Sequence, residues 1–223
     1  MPKLEYLDIK NSRDDFLLKF PLTNLRKLKC ILLYNTLDFN NFPAIEELYL
    51  ELGISSRYPF FLNNFTNLSK LTINGLSVIK DRDDSPITLN KLTYLSTNLY
   101  FSDKGISNLT NLKYLKMRNG VLINDLCLQQ LTQLKKLSIG SCINLTDESI
   151  KYLAGLTKLK ILSNCVDGIS LSINSLCMLT KLTKLEITGN KYELTVDVFR
   201  MLPRLFLYKS SGGDFFWRHH VND

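Results

Sequence analysis

Apolar residues recur along this chain in one phrase, Leu-x-x-Leu-x-Ile/Leu, found ten times and usually preceded by another apolar residue three positions earlier. The phrase opens at Leu4, Leu25, Ile45, Leu68, Leu92, Leu112, Leu134, Leu159, Leu182 and Leu202, so successive copies stand 21, 20, 23, 24, 20, 22, 25, 23 and 20 residues apart. Leu202-Pro-Arg-Leu205 also fits the upstream pair of the last copy. The opening is set at Leu202 because Phe199, Leu202, Leu205 and Leu207 then complete the whole pattern. In Leu134-Lys-Lys-Leu137-Ser-Ile139 the apolar residues two apart predict a short strand with one buried face. Upstream, apolar residues at spacing three (Leu128 and Leu131; Ile150, Leu153 and Leu156; Leu176 and Leu179) predict a helical turn on the opposite side.

A period of 20 to 25 residues with this phrase is the signature of a leucine-rich-repeat solenoid. The predicted fold is therefore α/β: a parallel sheet on the concave side, short helices or turns on the convex side, and a core that includes Leu137, Ile139, Leu153 and Leu156. One repeat cannot bury its apolar face alone, so stability comes from stacking neighbours. No Pro/Gly/Ser-rich linker divides the array, which predicts one domain of about ten repeats over 1–208. Residues 209–223, with Phe215, Phe216 and Trp217 after Gly212-Gly213, are expected to form an aromatic tail or cap folded over the last repeat. Met1 lies three residues before Leu4, so no capping unit is expected ahead of the array and the first strand is expected to be an exposed edge.

The segment Leu134-Lys-Lys-Leu-Ser-Ile-Gly-Ser-Cys142-Ile-Asn-Leu-Thr-Asp147-Glu-Ser-Ile150-Lys-Tyr-Leu153-Ala-Gly-Leu156 resembles the cysteine-containing subclass of leucine-rich repeats. That resemblance implies that Cys142 caps the strand end and that Thr146-Asp147 opens the convex helix. Arrays of this subclass often form substrate-recognition parts of F-box ubiquitin-ligase subunits, and the same role is what the likeness implies here. The subclass position is Asn190 in the ninth copy but Leu33, Gly53, Leu76, Leu99, Gly120 and Asp167 elsewhere, so its ladder of turn-capping side chains is broken.

Charge enters through the strand positions. Side chains two, four and six residues after each opening position are predicted to face solvent on the concave side. They include Lys10, Lys27, Lys29, Lys70, Lys116, Arg118, Lys136, Lys184 and Arg204 against Asp8, Glu47, Glu51 and Glu186. Adding the residue after each opening position brings Arg26, Lys113, Lys135 and Lys160 against Glu5 and Glu46. The balance then equals the formal net charge of the whole chain, +7. A surface of one sign attracts partners of the other, and Tyr6, Tyr49, Tyr94, Tyr114, Tyr208 and Phe206 interleave with these cations. Tyr and Arg are enriched among interface hot spots. The predicted centre of binding is Tyr94, Asn98, Tyr114, Lys116, Arg118 and Lys136. Lys and Tyr at exposed strand positions also serve solubility and strand propensity, and the acidic residues of the first three repeats run against the trend.

Catalytic chemistry finds little support. His219 and His220 are the only histidines and are adjacent near the end of the chain, and no phosphate-binding Gly motif occurs. Asp81, Asp83 and Asp84 lack the ordered spacing and Gly of a calcium loop. No cofactor or metal site is predicted. Cys30, Cys127, Cys142, Cys165 and Cys177 form no C-x-x-C pair and are expected to be buried and reduced. With no apolar h-region at the start and no membrane-length apolar run, the expected location is intracellular, in the cytoplasm. The sequons at Asn64, Asn67, Asn108 and Asn144 are accordingly expected to be unmodified.

The leading expectation is a non-enzymatic protein-interaction scaffold that binds an acidic partner, with the recognition part of a larger complex such as a ubiquitin ligase as its narrower form. Binding to a polyanion, either nucleic acid or an acidic membrane surface, is the runner-up, since basic and aromatic residues together also suit single strands. Regulation of an enzyme such as a GTPase or phosphatase fits the same fold.

Overall fold

A computed structural model describes residues 4–9, 21–32, 41–53, 62, 64–75, 88–99, 101–118, 123–140, 146–162, 171–188, 196–210 and 213–216. They form a single eleven-stranded sheet in sequence order. Strands β1 (Tyr6–Ile9), β2 (Lys27–Leu32), β3 (Glu47–Leu52), β4 (Lys70–Gly75) and β5 (Tyr94–Thr97) lead into β6 (Tyr114–Met117), β7 (Lys136–Gly140), β8 (Lys158–Leu162), β9 (Lys184–Thr188) and β10 (Leu207–Ser210), each parallel to the last. A final strand, β11 (Gly213–Phe216), turns back antiparallel onto β10, which places part of the expected tail within the sheet.

Alternation sets the faces. In β4, Leu71 and Ile73 are fully buried while Lys70 is exposed, and in β7 Leu137 and Ile139 are buried while Lys136 is exposed. From the second copy onward the residue that opens the phrase and the apolar residue three before it, such as Leu131 with Leu134 or Leu179 with Leu182, close a turn in which the later N–H donates to the earlier carbonyl at 2.8–3.4 Å. From the third copy onward both side chains go into the core, and all four residues predicted for it, Leu137, Ile139, Leu153 and Leu156, are buried.

The opposite layer holds, among the described residues, the short helices α1 (Asp103–Ser107), α2 (Asp125–Gln130), α3 (Asp147–Tyr152), α4 (Ile173–Cys177) and α5 (Val196–Met201). Each of the first four starts at an N-cap, Ser102, Asn124, Thr146 and Ser172, whose side-chain oxygen accepts a backbone N–H of the first turn. Thr146-Asp147 thus opens the convex helix as the sequence likeness implied. Its companion Cys142 lies outside the described residues.

The caps are tied together between repeats. Asp103 accepts the Asn124 backbone N–H at 3.0 Å, Asp125 accepts that of Thr146 at 3.1 Å, and Asp147 accepts that of Ser172 at 2.7 Å. Each of α1, α2 and α3 therefore fixes the start of the next helix. Burial lifts the Asp103 carboxyl above the usual carboxylate range, whereas the Ser172 N–H holds the half-buried Asp147 below it.

Two copies of the phrase sit three residues from their predicted openings. The residue after each opening position donates its N–H to its counterpart one repeat back, and this series runs Lys135, Thr157, Thr183, Phe206. The eighth copy therefore opens at Leu156 and the tenth at Leu205. Leucine at 153, 156 and 159 satisfies a spacing-three pattern in either frame, so the hydrophobic period alone does not choose between them. Leu156 leaves the helical turn to which it was assigned and opens the strand phrase, still fully buried.

Candidate functional site

The sheet face away from the helices is organised in rows, one residue per strand. The row two residues beyond each opening position reads Tyr6, Lys27, Glu47, Lys70, Tyr94, Tyr114, Lys136, Lys158, Lys184 and Leu207. The next row reads Asp8, Lys29, Tyr49, Thr72, Ser96, Lys116, Ser138, Lys160, Glu186 and Lys209.

Correcting the two registers changes the membership of this face. Lys158 and Lys160 replace Ile161 and Ser163, while Arg204 moves into the turn ahead of Leu205. Tyr208 pairs in backbone register with Leu185 of β9 and so leaves the predicted row. Lys158 is a residue of this face that the sequence reading missed. Leu156-Thr-Lys-Leu159-Lys-Ile161 fits the phrase directly and is the signal that would have found it.

The two ends of the face differ in how charge is handled. Across β1 to β4 the cations meet acids: Arg26 with Glu46 at 2.7 Å, Lys27 and Lys70 with Glu47 at 2.8 and 3.6 Å, and Lys29 with Asp8 at 3.4 Å. The Lys27 hydrogen bond holds the Glu47 carboxyl below the usual range and raises the Lys27 ammonium in turn. Across β6 to β9, among the described residues, only Lys160 is so matched, by Glu186 on the neighbouring strand. Lys116, Lys136, Lys158 and Lys184 have no acidic partner among the described residues. They surround a cavity of about 240 Å³ on this face, together with Tyr114 and the Lys160–Glu186 pair.

Between these halves Tyr94 and Tyr114 stack face to face, ring centroids 4.3 Å apart and planes within 6°. The Lys70 ammonium lies over the Tyr94 ring at 5.4 Å, reaching it from β4 while Tyr114 approaches from β6. Both faces of Tyr94 are therefore occupied, and the two rings stand in file along the row. Burial, then the neighbouring Tyr94, raise the Tyr114 hydroxyl above its ordinary value and keep it a neutral donor.

Of the six residues singled out from sequence, Tyr94, Tyr114 and Lys136 are consecutive in one row, and Lys116 and the exposed Arg118 extend from the same strand as Tyr114. Asn98 stands apart in its bonding. Its Oδ1 accepts the Gly75 N–H at 2.8 Å and its Nδ2 donates to the Gly75 carbonyl at 3.1 Å, so its amide clamps the ends of β4 and β5 together.

Ten parallel strands in sequence order, one phrase per strand, with helices on the other layer, decide the architecture. The fold is a leucine-rich-repeat solenoid. The chain is similar to an internalin (inlF) of Listeria monocytogenes, with a TM-score of 0.51 at 18% identity over 93% of this chain and 73% of that one. It is also similar to an internalin C2 of the same organism, with a TM-score of 0.48 at 19% identity over 85% and 72% of the two chains. No family model and no curated protein matches. At such identity the likeness concerns the solenoid itself.

Cys30, Cys127 and Cys177 are buried free thiols of this solenoid, and Cys142 and Cys165 lie outside the described residues. Burial pushes the Cys30 and Cys127 thiols up to about 12 and raises Cys177. Among the described residues no His/Cys/Asp/Glu group is arranged to hold a metal ion, and no helix is long and apolar enough to cross a membrane.

Proposed function

We propose that this chain is a non-enzymatic protein-interaction scaffold whose concave sheet face, around Tyr94, Tyr114, Lys116, Arg118 and Lys136, binds an acidic protein surface. In this reading Asn98 fixes the strand end that presents Tyr94. The observation that carries it is the contrast along one row, Lys-Glu-Lys at β2 to β4 and Lys-Lys-Lys at β7 to β9. Like charges opposite one another on adjacent strands are destabilising. Charge is neutralised from within at one end and left for a partner at the other.

The file of tyrosine rings favours protein over single-stranded nucleic acid. Base stacking needs open ring faces, and Tyr94 has both of its own covered, by Lys70 and Tyr114. The rings are better placed to offer hydroxyl tips and edges. A narrower role as the recognition subunit of a ubiquitin ligase would set the substrate over this same face.

Affinity capture from native cytosol tests the reading, comparing wild type with a Tyr94, Tyr114, Lys116 and Arg118 quadruple alanine variant. Partners lost with that variant, and retained by a convex control at Glu148 and Lys151, support it. Greater loss with the convex control overturns it. Co-capture of an F-box-like protein is the outcome that supports the narrower role.

A further inference from the structure

We propose that the cavity between β6 and β9 is a site for two neighbouring carboxylates of a partner protein, and that Glu186 is a resident carboxylate that sets how much charge a ligand must bring. This rests on the function proposed above and locates its centre: three strands on from Tyr94, at Lys158.

Lys136, Lys158 and Lys184 occupy the same row position on consecutive strands. Their stems are therefore about 4.7–4.9 Å apart. Two anions bridging this triplet, one between each pair, stand one strand spacing apart. Side chains at i and i+4 of a helix are about 5–6 Å apart, whereas alternate residues of an extended segment are separated by about 6.6–6.8 Å. The better match is an acidic helix laid across the strands.

The cavity itself shows how a carboxylate is held. Glu186 reaches Lys160 across adjacent strands and keeps only 14% of its side-chain surface exposed. It is the sole acid among the described lining residues, against five lysines. It neutralises Lys160 and repels whatever anion enters beside it. A weakly acidic surface gains little from the remaining lysines against that repulsion, and a run of carboxylates gains from several at once. The lining cations are all lysines, separate point charges spread over four strands. That distribution suits several carboxylates, whereas the planar fork of arginine suits bidentate recognition of one phosphate or carboxylate group.

The test uses the full chain and a fluorescent helical peptide carrying Glu at i and i+4, with the Gln version of the same peptide and a single-stranded oligothymidylate as comparators, read by anisotropy. The Glu peptide is expected to bind in preference to both. Lys158→Gln with Lys184→Gln should weaken it about tenfold. Glu186→Gln should tighten it about fivefold, the effect of one unit charge acting through water. Lys160→Gln, which leaves Glu186 uncompensated, should weaken it. Thermal unfolding of each variant separates lost binding from lost structure. Unchanged affinity in the double lysine variant, weaker binding by Glu186→Gln, or preference for the oligothymidylate overturns the proposal. If it fails while the Tyr94, Tyr114, Lys116 and Arg118 variant still loses captured partners, the concave-face reading stands and only this centre falls.

Discussion

Asp125 and Thr146 lie 21 residues apart in sequence and meet twice, the carboxylate accepting both the backbone N–H and the hydroxyl of the threonine. Thr146 is at the same time the N-cap of α3, accepting from the Glu148 N–H at 3.2 Å. The residue that starts one helix is thus oriented by the first residue of the helix before it.

Asp125→Ala should therefore destabilise the solenoid by roughly 1–2 kcal/mol, about the value of a lost cap contact with a part-buried donor left behind. Thr146→Ala should cost a similar amount. Because both changes break one unit, the double variant should lose less than the two single losses combined. Urea unfolding of the four proteins measures this, and simple additivity would mean that the two residues act separately.

The two outer members of the ladder respond to acid in opposite senses. Asp147 is held below the usual carboxylate range, so its contribution is present above the unfolded value of about 3.9 and is lost as pH falls through its folded value. Asp103 is held above that range and protonates first; as it does so, the folded state gains relative to the unfolded one. Carboxyl titration by NMR should place Asp103 above Asp147. The reverse order would contradict the bonding described.

Single substitutions at row positions should separate the two halves of the sheet. Glu47→Gln removes the acid shared by Lys27 and Lys70 and is expected to cost up to about 1 kcal/mol at low salt, less as salt is added. Lys158→Gln removes the repulsion of Lys158 with Lys136 on one side and Lys184 on the other and is expected to leave stability unchanged or slightly raised. Paired thermal melts at two ionic strengths check both signs.

Core and backbone positions should be less forgiving. Leu137, 1% exposed, should cost about 2–5 kcal/mol when truncated to Ala. At Gly140 an added Cβ would stand 2.7 Å from the Arg118 carbonyl oxygen, which is backbone and cannot swing aside. Gly140→Ala should cost about 1–3 kcal/mol and disturb the strand end that carries Arg118. Equilibrium unfolding gives both values.

The buried thiols give an alkaline limit. With Cys30 and Cys127 near 12, their thiolate fraction in the folded protein at pH 8 is on the order of one in ten thousand. The unfolded thiols ionise near 8.5, so folding loses stability as pH rises from that value towards 12. Alkylation with mass-spectrometric readout should leave Cys30 and Cys127 unlabelled at pH 8 until denaturant is added.

The solenoid was legible because leucine period and strand alternation are local signals that nine stacked neighbours reinforce. Register within a repeat was legible only where one frame fits better than another. At Leu202-Pro-Arg-Leu205 the useful clue was Pro203, which sits where Pro43 sits in Phe42-Pro-Ala-Ile45, inside the turn ahead of the strand. The charge excess and the acids of the first three repeats were visible in the sequence, but the division of the cations into paired and unpaired was not. That division depends on which residue faces which across strands, and a shift of three residues at Leu156 is enough to hide the central lysine. Asn98 shows the same limit: a polar residue at a solvent-facing position can be consumed by the neighbouring backbone.

The rows also bear on how such a surface changes over generations. Each repeat contributes one letter to each row, so a point mutation in one codon edits one position and leaves the buried phrase as it was. Duplication of a unit such as 134–155 would insert another strand and lengthen the lysine line by about 4.8 Å. Binding reach in this architecture can thus grow by copying, in fixed increments, with no new core to invent.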